Sequence, residues 1–341
     1  MKSLIVDSNG ELEIIEIEKP SYNEKQALIK VLSCGICGTD QTLIHKSFKG
    51  VPVEDYPIML GHEAVGRVEE TGAEVTSFKK GDVVLLPFND PKEGLGSAWG
   101  GFSEYGVIDD LAAYKGNEEV PEAAYAQQVI PSDIEYDYAS IFVTLREVYS
   151  AIKYFDIKAD EKVLIYGSGP VALAFLRLMK LVGVHKVAVV VRNSDKEQLM
   201  QQNGADYIIN TDISDVKQEV RKLFSDGVDK VLDAVGLPAI INEGLSLIKD
   251  RGEILCYGVP KNNSMELDWS EAPYNWKINF QQMPSKEEEG AVFEEIIGFV
   301  REGKLNLKDY VSDIFNFEEI ETAFEKLKNK EILKKAIIMF K

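Results

Sequence analysis

Along the chain the apolar positions change rhythm. Between Lys162 and Gly258 short apolar runs alternate with amphipathic stretches. Lys162–Tyr166, Lys186–Val191, Tyr207–Ile209, Val228–Val235 and Gly252–Tyr257 read as strands. Val171–Val182, Asp195–Asn203, Val216–Phe224 and Ala239–Lys249 read as the helices between them. Strands alternating with helices in this way predict βαβ units around a parallel sheet. Residues 1–145 show short alternating strands and many turns instead. Ser3–Asp7 and Glu11–Ile17 predict a hairpin across Ser8-Asn9-Gly10, whose Asn-Gly suits a type I′ turn. Ala64–Glu70 and Asp82–Leu86 predict further strands. After Pro284, Lys286–Arg301 and Phe317–Lys328 read as helical, and Ala336–Phe340 as a closing apolar strand.

The first turn of the βαβ region is Gly167-Ser168-Gly169-Pro170-Val171-Ala172, a G-x-G-x-x-A pattern between a strand and a helix. In that setting Gly167 permits the tight turn and Gly169 lets the backbone approach a pyrophosphate. Ala172 keeps the helix close to the sheet, and the helix N-terminus, with Pro170 and Val171, faces the anion. At the end of the second strand, NAD binding wants a carboxylate for the ribose hydroxyl. Val191 stands there, followed by Arg192, Asn193 and Ser194, which could hold a 2′-phosphate. NADP is therefore expected over NAD, the competing reading being that Arg192 is a solvated loop residue.

The other chemistry lies in Cys34-Gly35-Ile36-Cys37-Gly38-Thr39-Asp40 and, 25 residues beyond Cys37, in Gly61-His62-Glu63. Catalytic zinc takes thiolate, imidazole and carboxylate ligands and keeps one position open. Cys37 and His62 offer that mix, and Glu63 can ligate directly or through a shared water. A redox C-x-x-C pair lacks a thioredoxin-like context, and a core histidine is the plainer reading of His62 alone. A four-cysteine structural site is excluded by arithmetic, because only Cys256 remains, in a strand of the βαβ region; Cys34 reads as a packed neighbour.

Composition narrows the classes. A chain of 341 residues favours two domains. Its 57 acidic against 38 basic residues give a formal charge of −19. Such a surface repels phosphate backbones, so no nucleic-acid partner is expected; solubility or adaptation to salt accounts for the excess. No apolar run is long enough to span a bilayer and no signal-peptide pattern is present, so no membrane partner is expected. Three cysteines make no disulfide framework, and a reducing, cytoplasmic setting is the default.

C-G-I-C-G-T-D, G-H-E-A-V-G, G-D-V-V, G-G-F-S-E-Y and G-S-G-P-V-A, in that order, resemble the zinc-dependent medium-chain alcohol and polyol dehydrogenases, in particular their glucose and sorbitol dehydrogenase-like branch. The resemblance implies an α/β protein: a GroES-like, mainly β catalytic domain and a Rossmann domain with a doubly wound parallel sheet. The boundaries expected are 1–145 for the catalytic domain, 146–284 for the Rossmann domain and 285–341 for a segment returning to the first. It also implies that Cys37, His62 and Glu63 surround a catalytic zinc, that Thr39 passes the alcohol proton toward solvent, and that Asp40 supports the site. The expected reaction moves a hydride between NAD(P) and the carbinol carbon of a small hydroxylated substrate, a polyol, sugar or sugar acid, in a homodimer or homotetramer.

Three departures from the family pattern matter. The interval from Pro87 to Trp99 carries no cysteine, so one zinc per chain is expected. The position of the usual remaining ligand falls on Val143, which cannot bind metal. Glu147, one helical turn on, could reach zinc or substrate, or could equally pair with a cation on the helix surface. The relay histidine after G-T-D is replaced by Thr42, with His45 as a candidate substitute. Two rival readings stand beside this one: a zinc-free quinone-reductase-like enzyme, and a non-catalytic NADP-binding protein.

Overall fold

A computed structural model describes residues 1–341. Its contacts divide the chain into two units, Met1–Arg146 with Ser285–Lys341, and Glu147–Pro284.

The second unit is a six-stranded sheet in the order Tyr207–Asn210, Lys186–Val191, Lys162–Tyr166, Val228–Asp233, Ile248–Cys256 and Lys277–Phe280. All five pairings are parallel. The first strand in sequence sits inside the sheet with the second and fourth on either side, which is the doubly wound order of a dinucleotide-binding fold. The strands are rich in valine and isoleucine because helices cover them: Leu164, Ala188, Ile209, Val231 and Ile254 pack with Val220, Ile241 and Leu245 into one core. Two differences from the sequence reading stand out. The fourth crossover helix ends at Leu245, and Ile248–Cys256 is one long strand. The edge strand Lys277–Phe280 is half-exposed and short, so it carries little periodic signal.

The first unit is mainly β. A seven-stranded sheet runs in the order Val311–Asn316, Lys335–Met339, Gln26–Gly35, Glu63–Thr71, Val83–Leu85 and Val129–Ile130, with Tyr105–Asp109 also paired to Gln26–Gly35. A second sheet joins Leu12–Glu16, Lys2–Val6, Ile58–Met59 and Gly96–Ser97. The opening hairpin is present, but its turn is not type I′. Val6 pairs with Leu12, leaving five residues in the loop. Asp7 organises that loop by accepting from the backbone amides of Asn9 and Glu11, and of the Asn-Gly pair only Gly10 takes a positive φ, whereas type I′ needs two. The stretch Lys286–Arg301 is two helices, Lys286–Ala291 and Phe293–Arg301, parted at Val292.

The strand Gln26–Gly35 is absent from the sequence reading, yet it carries the site. It is mostly buried and flanked on both sides, so its residues do not alternate cleanly between apolar and polar. Its register places Gly35 opposite both Glu63 and Ile337. The strand then ends, and Cys37 caps the short helix Gly38–Ile44.

Candidate metal centre

Cys37 stands at the turn from strand to helix. Its backbone amide donates to Asp40 Oδ2 at 2.8 Å, so the acid three residues on holds the helix entrance. His62 and Glu63 arrive at the start of the neighbouring strand. Together these supply one sulfur, one imidazole nitrogen and one carboxylate oxygen, all within 4.8 Å of one another. His62 and Glu63 are buried and Cys37 is half-buried.

Two atoms in this cluster lack partners. Glu63 Oε2 and His62 Nδ1 are both buried without a hydrogen bond. Nδ1 faces Asp40 Oδ1 at 3.6 Å, beyond hydrogen-bond range, and that oxygen is unpartnered too. Buried polar atoms without partners are rare, and a shared metal or water is a standard resolution. The mixed sulfur, nitrogen and oxygen set fits zinc. Electrostatics agree: burial pulls the His62 pKa down, but Asp40 and Cys37 outweigh it and carry it well above the ordinary histidine value. Burial likewise pushes Glu63 up, yet Lys335 and His62 hold its carboxyl below the usual range.

Lys335 is a site residue that the sequence reading missed. Its Nζ lies 2.6 Å from Glu63 Oε1, with the two side chains 2% and 0% exposed. Thr144 Oγ1 donates to the same oxygen at 2.9 Å. Gly35 makes this possible, because a Cβ there would collide with Glu63 Oε2 and crowd the Lys335 chain at 3.3 Å. Lys334-Lys335 before an apolar run looks like an ordinary solvated strand start, and Thr144 carried no signal beside Val143.

Other singled-out residues fall as follows. Thr39 is half-buried in the first turn of the helix, its hydroxyl 3.9 Å from Cys37 Sγ. Cys34 is fully buried and its thiol is pushed up chiefly by desolvation. His45 is exposed and its Nδ1 engages the Gln41 carbonyl. Val143 is fully buried in the helix Ile141–Tyr154, and Glu147 on the same helix is half-buried and belongs to the second unit. Trp99 touches the His62 ring with centroids 5.2 Å apart, and Phe48 meets Trp99 edge-on at 6.1 Å. Both aromatic rings line a cavity of about 360 Å³ with Asn89, Asp90 and Ser97 on its polar side.

In the second unit Gly167 takes φ +124° at the end of its strand, and the helix Pro170–Leu181 starts with Gly169 as its cap, Pro170 first and Val171 next. A Cβ on Gly169 would meet nothing within 4 Å, so the space over the turn is open for a phosphate, while Ala172 is buried beside Gly167. The Gly167 amide reaches the Val190 carbonyl of the next strand, which puts Arg192 at the same end of the sheet. Arg192 is exposed, Asn193 caps the helix Ser194–Gln202 through the Lys196 amide, and Ser194 opens that helix.

Comparison with known proteins gives the same picture. Residues 23–118 match the alcohol dehydrogenase GroES-like domain, and residues 170–281 match the zinc-binding dehydrogenase domain. The chain is 24% identical to D-arabinitol dehydrogenase 1 of Uromyces fabae, over 99% of this chain and 97% of that enzyme. It is 29% identical to L-threonine 3-dehydrogenase of Shewanella putrefaciens, over 75% of this chain and 76% of that enzyme. The crystal structure of 2R,3R-butanediol dehydrogenase from Bacillus subtilis superposes with a TM-score of 0.81 at 21% identity, covering 99% of each chain.

Proposed function

The chain belongs to the zinc-dependent medium-chain alcohol and polyol dehydrogenases, and from that premise we propose that it oxidises and reduces a polyol, sugar or sugar acid at one carbinol carbon. It is an NAD(P)-dependent oxidoreductase acting on CH–OH groups. The observation that carries the reading is the convergence of the Cys37, His62 and Glu63 donors, two of them with unpartnered buried atoms. Zinc held by these three would polarise a substrate hydroxyl and lower its pKa, and the nicotinamide would accept the hydride.

The protein's own residues do the rest. Thr39 Oγ1, half-buried beside Cys37, takes the proton leaving the substrate hydroxyl and passes it outward. Asp40 orients both neighbours, holding the Cys37 amide and setting a negative charge beside His62. Trp99, packed on His62, shields that side of the cluster from water. The substrate class is supported by the likeness to D-arabinitol dehydrogenase 1, an enzyme named for a polyol. The cavity beside Trp99 is lined by none of Cys37, Thr39, His62 and Glu63. A turnover screen of polyols, aldoses, sugar acids and simple secondary alcohols with both cofactors tests the reading. Activity confined to simple alcohols, or absent throughout, would overturn it.

NADP is the proposed cofactor. Val191 is buried and offers no carboxylate, while Arg192 is exposed at the sheet end that bears the glycine turn. Arg192→Ala should weaken NADP by about ten- to a hundredfold, the ~1.5–3 kcal/mol of a charge-assisted contact, and leave NAD nearly unchanged. Equal losses measured by fluorescence titration would remove the idea.

Glu147 is proposed to bind substrate hydroxyls or to complete the zinc shell at some stage of the cycle. The motive is Val143, which leaves the usual ligand position empty of donors. Glu147→Gln keeps the shape and should lower turnover about tenfold to a hundredfold with the melting temperature unchanged. Wild-type kcat and KM across the screen would make it a surface residue.

A further inference from the structure

Glu63 has two carboxylate oxygens in opposite situations. Oε1 is taken by Lys335 Nζ at 2.6 Å and by Thr144 Oγ1 at 2.9 Å. Oε2 is buried and has no partner, against Gly35, in the cluster with Cys37 and His62. A carboxylate can meet a metal through one oxygen or through both. With both donors seated on Oε1, only Oε2 is free to do so.

We propose that Lys335 and Thr144 are positioning residues that withhold Glu63 Oε1 from the metal, so that Glu63 serves as a one-oxygen ligand and a coordination position stays open for substrate. The architecture is suited to this. Lys335 comes from the last strand, Thr144 from the helix Ile141–Tyr154 and Glu63 from the strand across Gly35, so three separate elements fix one carboxylate. Thr144 directly follows Val143, where the family's usual ligand is missing. The helix thus contributes a donor to Glu63 in place of a ligand to the metal. Charge also counts. Lys335 neutralises Glu63, so a divalent ion here would be offset by one thiolate and would keep more of its pull on a substrate oxygen than a site with two uncompensated anionic ligands.

The inference rests on the zinc reading above, and the test separates the two. Cobalt(II) replaces zinc and reports coordination through its visible absorption bands, which weaken as a fifth ligand joins a four-coordinate ion. Wild-type protein that binds no metal would defeat the zinc reading itself. If wild-type binds, Lys335→Met should weaken the cobalt bands as Glu63 closes onto the metal through both oxygens. Zinc should survive chelator dialysis as in wild type, and kcat should fall about ten- to a hundredfold. Lys335→Arg keeps a cationic donor and should restore the bands. Thr144→Val, which leaves all charges in place, should shift them in the same direction by less, and it carries the test if Lys335→Met does not fold. Unchanged bands in Thr144→Val and in any folded Lys335→Met would overturn the proposal. Loss of metal from folded Lys335→Met would overturn it too, since Lys335 would then only balance a buried charge.

Discussion

Cys37→Ser is expected to leave a folded protein that retains no zinc after washing with chelator and has lost turnover by about a thousandfold or more. The chain supplies few ligands to begin with. Three donors converge, and only one of them is a thiolate. Serine's hydroxyl stays protonated near neutral pH, so the substitution removes an anionic, polarisable ligand and leaves His62 and Glu63. Lewis-acid activation is worth on the order of several kcal/mol, and each ~1.4 kcal/mol is tenfold in rate. Folding should survive, because the contact that shapes the turn is made by the Cys37 backbone amide to Asp40, which serine keeps. Cys34→Ser is the contrasting control. That side chain is fully buried in the core, so its replacement should cost stability, about 1–3 kcal/mol, and leave metal content intact. Metal analysis with circular dichroism checks both. Zinc retained in Cys37→Ser, or two equivalents in wild type, would count against the site as drawn.

The parts of this molecule that could be read from its sequence are those where local pattern and physics coincide. The parallel strands around Gly167 are continuous apolar runs because both faces are covered, and the glycine turn sits where a strand must become a helix. The spacing of Cys37 and His62 was legible for a different reason: chemistry limits which residue types bind zinc. What stayed hidden depends on contacts distant in sequence. Lys335 meets Glu63 across 272 positions, and only the register through Gly35 brings them together. Gly35 has no local signal within C-G-I-C; its role is to leave room where two charged side chains meet. Trp99 belongs to a stretch with no period at all, and its contact with His62 follows from a backbone bent through φ +70°. The Asn9-Gly10 turn was misread because Asp7 captures the backbone amides and sets a five-residue loop, a side-chain effect that dipeptide preference does not contain.

Breaking the buried ion pair between Glu63 and Lys335 should destabilise the metal-free protein strongly, in a way a double-mutant cycle can read. Both side chains are almost wholly excluded from water, so removing one member takes away the opposite charge 2.6 Å from the other while leaving that other buried. Such losses cost about 3–5 kcal/mol. Glu63→Gln and Lys335→Met should each approach that figure in urea titrations of stripped protein. The double variant removes both charges, and the amide oxygen that Glu63→Gln introduces can still accept from Thr144. It should therefore be destabilised by less than the sum of the singles, with a coupling energy near the upper end of the usual ~0.5–3 kcal/mol. The pH dependence has a definite sign. The folded-state pKa of Glu63 is depressed, so its contribution is complete above the ordinary value of 4.5 and is lost as pH falls through the lowered value. Wild type should lose stability over that acid interval more steeply than Glu63→Gln does. Additive single costs, or identical acid limbs for the two proteins, would mean that Lys335 and Glu63 are solvated in solution and do not form the pair that holds the metal-binding carboxylate in place.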